Sequence, residues 1–402
     1  MKILLVSMDD SKKIKIGGKH IHQELLEKGW KANGYYVDYA YPNMSPINDI
    51  KKRAINKLLI FTKIGGKDEV FKNHISQSID LLVNLILAKF KKVDYDFISA
   101  QDIVAAIAAK KAIDLLSKKT PIYLTLHGYF SRESINYGYF SSQESINVLN
   151  YSMDLEKLAL SFSNGIITVD SRIKNYIIDE FNYSNKYQVV FNAIDNERFT
   201  RVSEYEMKSL REELGLPKEK FLLLVGRRLV KKNGVIYAVE AMKILVEQGI
   251  DNCYLCIIGE GPEHNALTGY INENNLTDYV KVCGAIPHEK VDKYYKSADV
   301  ILMPSIKSDN IEEATSLSML EGMACGKVVI ASAIGGMKEV ITHLDNGILV
   351  EEKDAKQISE NVIMLVNNKV LLEKISNSAF EYAHKHHSYI SHAKVIADFF
   401  EK

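Results

Sequence analysis

The sequence predicts an α/β chain folded as two doubly wound domains that face each other across a cleft. Short apolar runs alternate with helical patterns through the first half; a polar connection intervenes near residue 200, and the alternation then begins again. Strands alternating with helices imply parallel βαβ units with right-handed crossovers. A chain of 402 residues is long for one domain and comfortable for two. The expected domains are 1–198 and 199–387.

Taken in order, "KILLVS" is a first strand by its unbroken apolar character. "GGKHIHQELLEKGW" follows as a glycine turn and a helix, with Ile21, Leu25 and Leu26 on one side. "YYVDYAY" is a second strand, and residues 50–92 read as mostly helical and rich in lysine. "YDFISAQD", "IYLTLHG", "GIITVD" and "YQVVFNAID" are further strands, separated by helices such as 102–117 and 154–161. "TRVSEYEMKSLREELGLPKEK" is the connection and carries one short helix. The second series runs "FLLLVG", helix 234–248, "CYLCIIG", helix 263–274, "VKVCG", helix 288–296 and "DVILMP". It continues with helix 315–325, "VVIAS", helix 336–341, "GILV" and helix 354–367.

Bulk properties narrow the function class. The formal net charge is zero, which argues against a general affinity for nucleic acid. The opening "MKILLVSMDD" reads as a buried strand and not as a signal peptide. No stretch approaches the roughly 20 apolar residues that cross a bilayer. Four cysteines are too few to staple a chain of this size, so reduced thiols in a cytoplasmic protein are expected. Cys253 and Cys256 form a C-x-x-C inside a strand, where residues three apart point to opposite faces, so both read as buried structural thiols.

In doubly wound sheets, ligands sit beyond the carboxyl ends of strands, against helix N-termini. Gly17 and Gly18, after the first strand, either bring backbone N–H groups to an anion or simply make a tight loop. His127 closes "IYLTLHG", where an imidazole is either structural or placed to bond a sugar hydroxyl or a reacting group. "LLVGRRLVKKNG" sets Arg227, Arg228, Lys231 and Lys232 just past a strand, suited to phosphate oxygens. A Walker A loop is absent, because its glycine spacing is missing. "IIGEGPEH" gives G-x-G after a strand, but His264 takes the third glycine position, so it reads as a structural turn. In "EEATSLSMLEGMACG", Thr315, Ser316 and Leu317 form the expected first turn of a helix, an anion site by its free N–H groups. Glu321 lies further along that helix, where a carboxylate can accept from vicinal hydroxyls such as those of ribose. Glu313 lies before it. A capping acid and a surface acid would give the same two letters.

"GRRLVKKNG", "IIGEGP", "CGAIPHEKVDKYYKSADVILMPS", "EATSLSMLEGMACGKVVIASAIGG" and "DNGILV", in this order and spacing, resemble the retaining glycosyltransferases of family 4. "FNAIDNERF" is similar to that family's interdomain segment. The resemblance covers most of 190–355 and extends through "GGKH" and "TLHG". It implies the GT-B fold of two Rossmann-like domains, the first completed by a C-terminal helix within 388–402. It implies transfer of a sugar from a nucleotide-sugar donor (UDP- or GDP-sugar) to an acceptor hydroxyl, with anomeric configuration kept. By position, Arg227 and Lys232 would hold the diphosphate, with Gly17 and Gly18 and the backbone of Thr315, Ser316 and Leu317. Glu321 would bind ribose, Glu313 the donor sugar, and His127 sugar hydroxyls near the reacting carbon. The basic loop has one arginine more than the family pattern, which leaves Arg228 as an alternative phosphate ligand. Ala314 and Ser316 stand where glycine is common, and Gly322 where alanine is usual.

No cofactor and no metal are expected, since two cations and a helix terminus can take the charge of the leaving group. "VDYD" at 93–96 has the D-x-D form of a metal-dependent transferase fold but precedes a strand far from the donor motifs, so it reads as a solvated strand entry. "HKHHSY" at 384–389 reads as a solvated helix end. The acceptor, a glycan, a lipid-linked or a small molecule, is expected against the first domain. Lysines beside apolar stretches in 51–92 fit either an amphipathic helix pair or peripheral contact with the inner face of the membrane. The oligomeric state is not readable. A nucleotide-sugar epimerase, a phosphorolytic enzyme and a non-catalytic nucleotide-sugar-binding protein are the alternatives on the same fold.

Overall fold

The computed structural model describes residues 1–9, 18–42, 66–135, 140–307 and 315–401. The chain forms two compact units, Met1–Phe191 with Ile390–Lys402, and Asn192–Tyr389.

The first unit holds six parallel strands, β1 (Lys2–Val6), β2 (Tyr36–Ala40), β3 (Phe97–Ala100), β4 (Ile122–Leu126), β5 (Gly165–Thr168) and β6 (Tyr187–Val189). Their order is β2-β1-β3-β4-β5-β6. The chain steps outward from β1 to β2, then returns across β1 to build the rest, so the order reverses between β1 and β3. Every residue of β4 is buried, as expected of a parallel strand covered by helices on both faces. On one face the helix Lys67–Phe90 buries Ile75, Ile79, Leu82, Val83 and Ile86 at helical spacing. On the other, the C-terminal helix Tyr389–Glu401 packs Ala393, Ile396, Ala397 and Phe400 against Ile3, Leu5, Leu26 and Trp30. Trp30 Nε1 donates to the Ala393 carbonyl at 2.9 Å, and the Tyr123 and Phe400 rings stack 4.4 Å apart.

The second unit repeats the plan with β7 (Phe221–Gly226), β8 (Cys253–Ile258), β9 (Val280–Val282), β10 (Val300–Met303), β11 (Val328–Ser332) and β12 (Ile348–Val350). The order is β12-β11-β10-β7-β8-β9, reversing between β7 and β10. Leu223 and Val225 face one core, Leu222 and Leu224 the other. Cys253 and Cys256 divide the same way. The thiol near Cys256 is that of Cys283, 3.6 Å away.

Three local expectations are corrected. The helix expected at 154–161 runs from Ser142 to Phe162, because Ser141 and Glu144 form a capping box well upstream. The helix Lys369–His386 escaped the sequence reading because its buried stripe, Ile375, Ala379 and Ala383, is one residue wide. "HKHHSY" is not wholly solvated: His387, Ser388 and Tyr389 are buried. The His387 carbonyl accepts from Ile194 N at 2.8 Å, and its ring nitrogen Nδ1 lies 2.9 Å from the Asn192 carbonyl. Burial pushes the imidazole down to about 4, so it is neutral at ordinary pH. "VDYD" serves the fold: Asp96 accepts from Lys2 N at 2.7 Å and Tyr95 is buried. Residues 51–65 lie outside the described residues. Among the described residues, no helix is long and apolar enough to cross a membrane.

Candidate active site

β7 and β10 are neighbours at the point where the second sheet reverses, the place where doubly wound sheets open a crevice for ligands. Two loops leave their carboxyl ends and are tied together there. Arg227, directly after β7, is buried and donates from its guanidinium to the Ser305 hydroxyl just past β10. Ile306 N donates to the Lys232 carbonyl at 2.9 Å. Gly234 has φ +59°, and a Cβ there would strike the Pro304 carbonyl, so only glycine lets the two loops approach this closely. Asn233 closes the basic loop by donating to the Arg228 carbonyl at 2.7 Å. Arg228 and the Lys231 and Lys232 side chains are exposed.

The G-x-G turn supports this loop from below. Gly259 has φ +135°, and a Cβ on it would meet the Arg227 carbonyl; one on Gly261 would meet the Leu229 carbonyl. Leu229 N donates to the Glu260 carbonyl at 2.9 Å, and Glu263 N to the Leu229 carbonyl at 3.0 Å. These glycines hold the backbone under the basic residues.

The helix Leu317–Ala324 starts later than the sequence suggested. Ser316 takes the extended N-cap conformation and Thr315 precedes it, which leaves Leu317 alone of the three in the first turn. Serine favours an N-cap over a helical interior because its hydroxyl competes for backbone partners. Here the Ser316 side chain makes no capping hydrogen bond, so the first amides of the helix keep their donors for another partner. The helix start rests on β7: Ser318 Oγ donates to the Gly226 carbonyl at 2.9 Å, and Tyr295 OH reaches the same oxygen at 3.4 Å. Asn192 Nδ2 donates to the Thr315 carbonyl at 3.2 Å.

Glu321, within this helix, is 7% exposed, and its carboxylate makes no hydrogen bond among the described residues. Burial strips its hydration and raises its pKa to about 7, against the pull of the Arg198 guanidinium and with a further push from Asp292. Arg198 is itself held by Asp292 Oδ1 at 3.2 Å and by His288 Nε2 at 2.9 Å. A buried acid without a hydrogen bond is costly in a finished core.

The structure therefore gathers Arg227, the Lys232 backbone, Ser316, Leu317 and Glu321 around the ends of β7 and β10. Thr315 is one step behind, and Arg228 is on the exposed side of the same loop. Gly18, exposed at the head of the helix Gly18–Ala32, and His127, after β4, belong to the first unit. Gly17 and Glu313 lie outside the described residues. Ser305, Ser318, Tyr295, Asn192 and Arg198 were missed. Ser305 sits just past a strand, and the rule that selected Arg227 would have found it. Arg198 gave no signal, because its place beside Glu321 exists only in the folded unit.

Two family models match the chain: Glycosyltransferase Family 4 over residues 16–198 and Glycosyl transferases group 1 over 206–382. An uncharacterized glycosyltransferase of Methanocaldococcus jannaschii, MJ1607, is 27% identical over 98% of this chain and 96% of its own. The fold is similar to that of sucrose-phosphate synthase from Thermosynechococcus elongatus, with a TM-score of 0.74 at 19% identity, covering 100% of this chain and 98% of that one. It is also similar to Anabaena HepE, solved in complex with UDP-glucose, with a TM-score of 0.69 at 18% identity, covering 100% and 99%. Two reversing sheets of the GT-B kind, with residues 16–198 and 206–382 matched by these models, make the chain a member of the group 1, family 4 glycosyltransferases.

Proposed function

We propose that this glycosyltransferase moves a sugar from a UDP- or GDP-sugar to an acceptor hydroxyl, with retention at the anomeric carbon, in glycan or glycolipid assembly. One observation carries the reading. Glu321 is a buried carboxylate without a hydrogen bond among the described residues, on a helix whose uncapped start abuts the Arg227 loop. A nucleoside diphosphate answers each feature: ribose hydroxyls donate to Glu321, and pyrophosphate oxygens accept from the first amides of the helix, Arg227 and Lys232. That HepE was crystallised with UDP-glucose makes a uridine donor the first to try.

Cleavage of the donor breaks the bond between the anomeric carbon and the β-phosphate oxygen. Negative charge grows on the phosphate and positive charge on the sugar ring. Arg227, Lys232 and the helix amides meet the first, each preorganised donor being worth roughly 2–4 kcal/mol in the transition state. The acceptor oxygen bonds to the anomeric carbon on the face the phosphate leaves, and its proton passes to the departing phosphate, so no protein base is required. With these charges in place the reaction needs no metal or cofactor. Glu313, the first acid of the E-x7-E pattern, contacts the donor sugar in this scheme.

Thermal stabilisation by UDP-, GDP- and ADP-sugars identifies the donor, and the anomeric configuration of the product, read by NMR, tests retention. Release of sugar phosphate without nucleotide would instead indicate phosphorolysis.

A further inference from the structure

The first unit contains a cavity of about 650 Å³, whereas Arg227, Leu317 and Glu321 belong to the second unit. It opens at the carboxyl ends of β1, β3 and β4, where Asp9, Asp102 and His127 line it, beside the reversal of that sheet. Its volume falls in the range of small-molecule pockets, roughly 300–1,000 Å³.

Its walls and floor differ in chemistry. The walls are largely apolar: Val70, Phe71 and Ile75 come from the helix Lys67–Phe90, with Phe130 and Phe140 nearby, and Lys67, His74 and Glu133 add polar groups to the lining. The Phe71 and Phe140 rings meet edge to face at 6.3 Å. The floor is a small polar network. Gln101 Nε2 donates to Ser99 Oγ at 2.9 Å and approaches Thr125 Oγ1 at 3.5 Å. Its amide oxygen faces His127 Nε2, 3.3 Å away. An amide oxygen only accepts, so Nε2 carries the proton. Burial, then the neighbouring His22 and Lys19, keep the ring neutral by lowering its pKa well below the usual range. Nδ1 is then the unprotonated acceptor, and it makes no hydrogen bond among the described residues.

Charge completes the description. The Lys19 ammonium lies 2.9 Å from both Asp9 and Asp102. Burial alone would discharge it, but Asp102 and Asp9 override this and raise its pKa. Among the described lining residues, the cations Lys19 and Lys67 stand against the carboxylates of Asp9, Asp102 and Glu133, a set that is net negative. A phosphate or carboxylate brought there meets repulsion at short range in a poorly screened site.

We infer that this cavity takes the acceptor as an uncharged molecule with an apolar body, held between the phenylalanine walls, and a hydroxyl other than the reacting one that donates to His127 Nδ1. This rests on the transferase reading for the word acceptor; the ligand class follows from the cavity alone. Free sugars lack the apolar body, and anionic acceptors are repelled at the floor.

The test is calorimetric titration of the full chain with phenyl β-glucoside, glucose and phenyl phosphate. Phenyl β-glucoside is expected to bind at least about tenfold more tightly than either of the others, the scale of burying one aromatic ring. Phe71→Ala is expected to remove most of that advantage, and Phe71→Leu, which preserves an apolar wall, to restore much of it; melting curves exclude misfolded variants. Glucose or phenyl phosphate binding as tightly as phenyl β-glucoside would overturn the inference. So would unaltered binding by Phe71→Ala, or binding of none of the three. Nucleotide sugars titrated into the same protein keep the two ideas apart. Lost donor binding with intact phenyl β-glucoside selectivity removes the transferase reading and leaves the ligand class; the reverse pattern removes the ligand class alone.

Discussion

The guanidinium of Arg227, directly after β7, donates to the hydroxyl of Ser305, just past β10. This bond fixes a buried cation at the reversal of the second sheet, beside a helix start whose amides are uncapped. Held by that hydroxyl, the guanidinium is preorganised, which on the proposed reading lowers the cost of aligning its charge during reaction.

Arg227→Ala should therefore lower kcat by about two to three orders of magnitude, the scale of one preorganised oxyanion donor. Acceptor KM should stay nearly constant. Initial rates at saturating donor measure this; a loss confined to KM would mean that the guanidinium only binds ground-state substrate.

Glu321 gives donor binding a pH dependence of known sign. Its pKa is raised to about 7 by burial, and in the proposed donor complex ribose hydroxyls donate to the ionised form. Donor affinity should be level above pH 7 and fall up to about tenfold per unit below it, a trend that Glu321→Gln abolishes. Fold stability runs the other way. The folded state holds this proton to higher pH than the unfolded chain, so the unliganded protein loses stability from this group as pH rises from the ordinary carboxylate range toward 7. Donor titrations and melting curves from pH 5 to about pH 8 check both signs.

Much of this arrangement could be read before folding. All twelve strands stand in the sequence as short runs rich in apolar residues, most nearly unbroken in inner strands such as β4, β10 and β11, which are buried on both faces. The cations after β7 and the acid at 321 were visible because a strand end is a fixed place in such a sheet. Arg198, Asn192 and Tyr295 were not visible, since each reaches the site from a distant part of the chain and no local pattern marks it. The helix 369–386 was hidden by its thin apolar stripe, and the true start at Leu317 by a serine that caps without a side-chain bond.

Gly234→Ala should damage the site through the backbone. A Cβ at φ +59° would collide with the Pro304 carbonyl, so the basic loop must lift from the β10 loop. A stability loss of more than about 1 kcal/mol together with weakened donor binding is expected from denaturant melts and titration. Gly249, with φ +76° and nothing within 4 Å of its Cβ, is the control: Gly249→Ala carries the backbone strain alone and should leave donor binding intact.

Arg211→Met tests the clip that joins the connecting helix to the second sheet. Arg211 is buried, donates to Asp299 at 2.7 Å and to the Ser297 carbonyl at 2.8 Å, and pairs with a carboxylate that also accepts from Leu222 N at 2.6 Å. Removing the cation strands that acid, at a cost of roughly 3–5 kcal/mol. Urea unfolding should show it, while donor affinity below the melting range stays unchanged.

The most direct measurement of the central claim compares nucleoside diphosphate with nucleoside monophosphate, for the base identified by the donor screen, by calorimetry on wild type, Arg227→Ala and Lys232→Ala. If cations after β7 and the start of the helix Leu317–Ala324 hold one pyrophosphate, the diphosphate binds wild type more tightly, and both variants lose that advantage while binding the monophosphate nearly as before. Equal preference for the diphosphate in all three proteins would contradict the account.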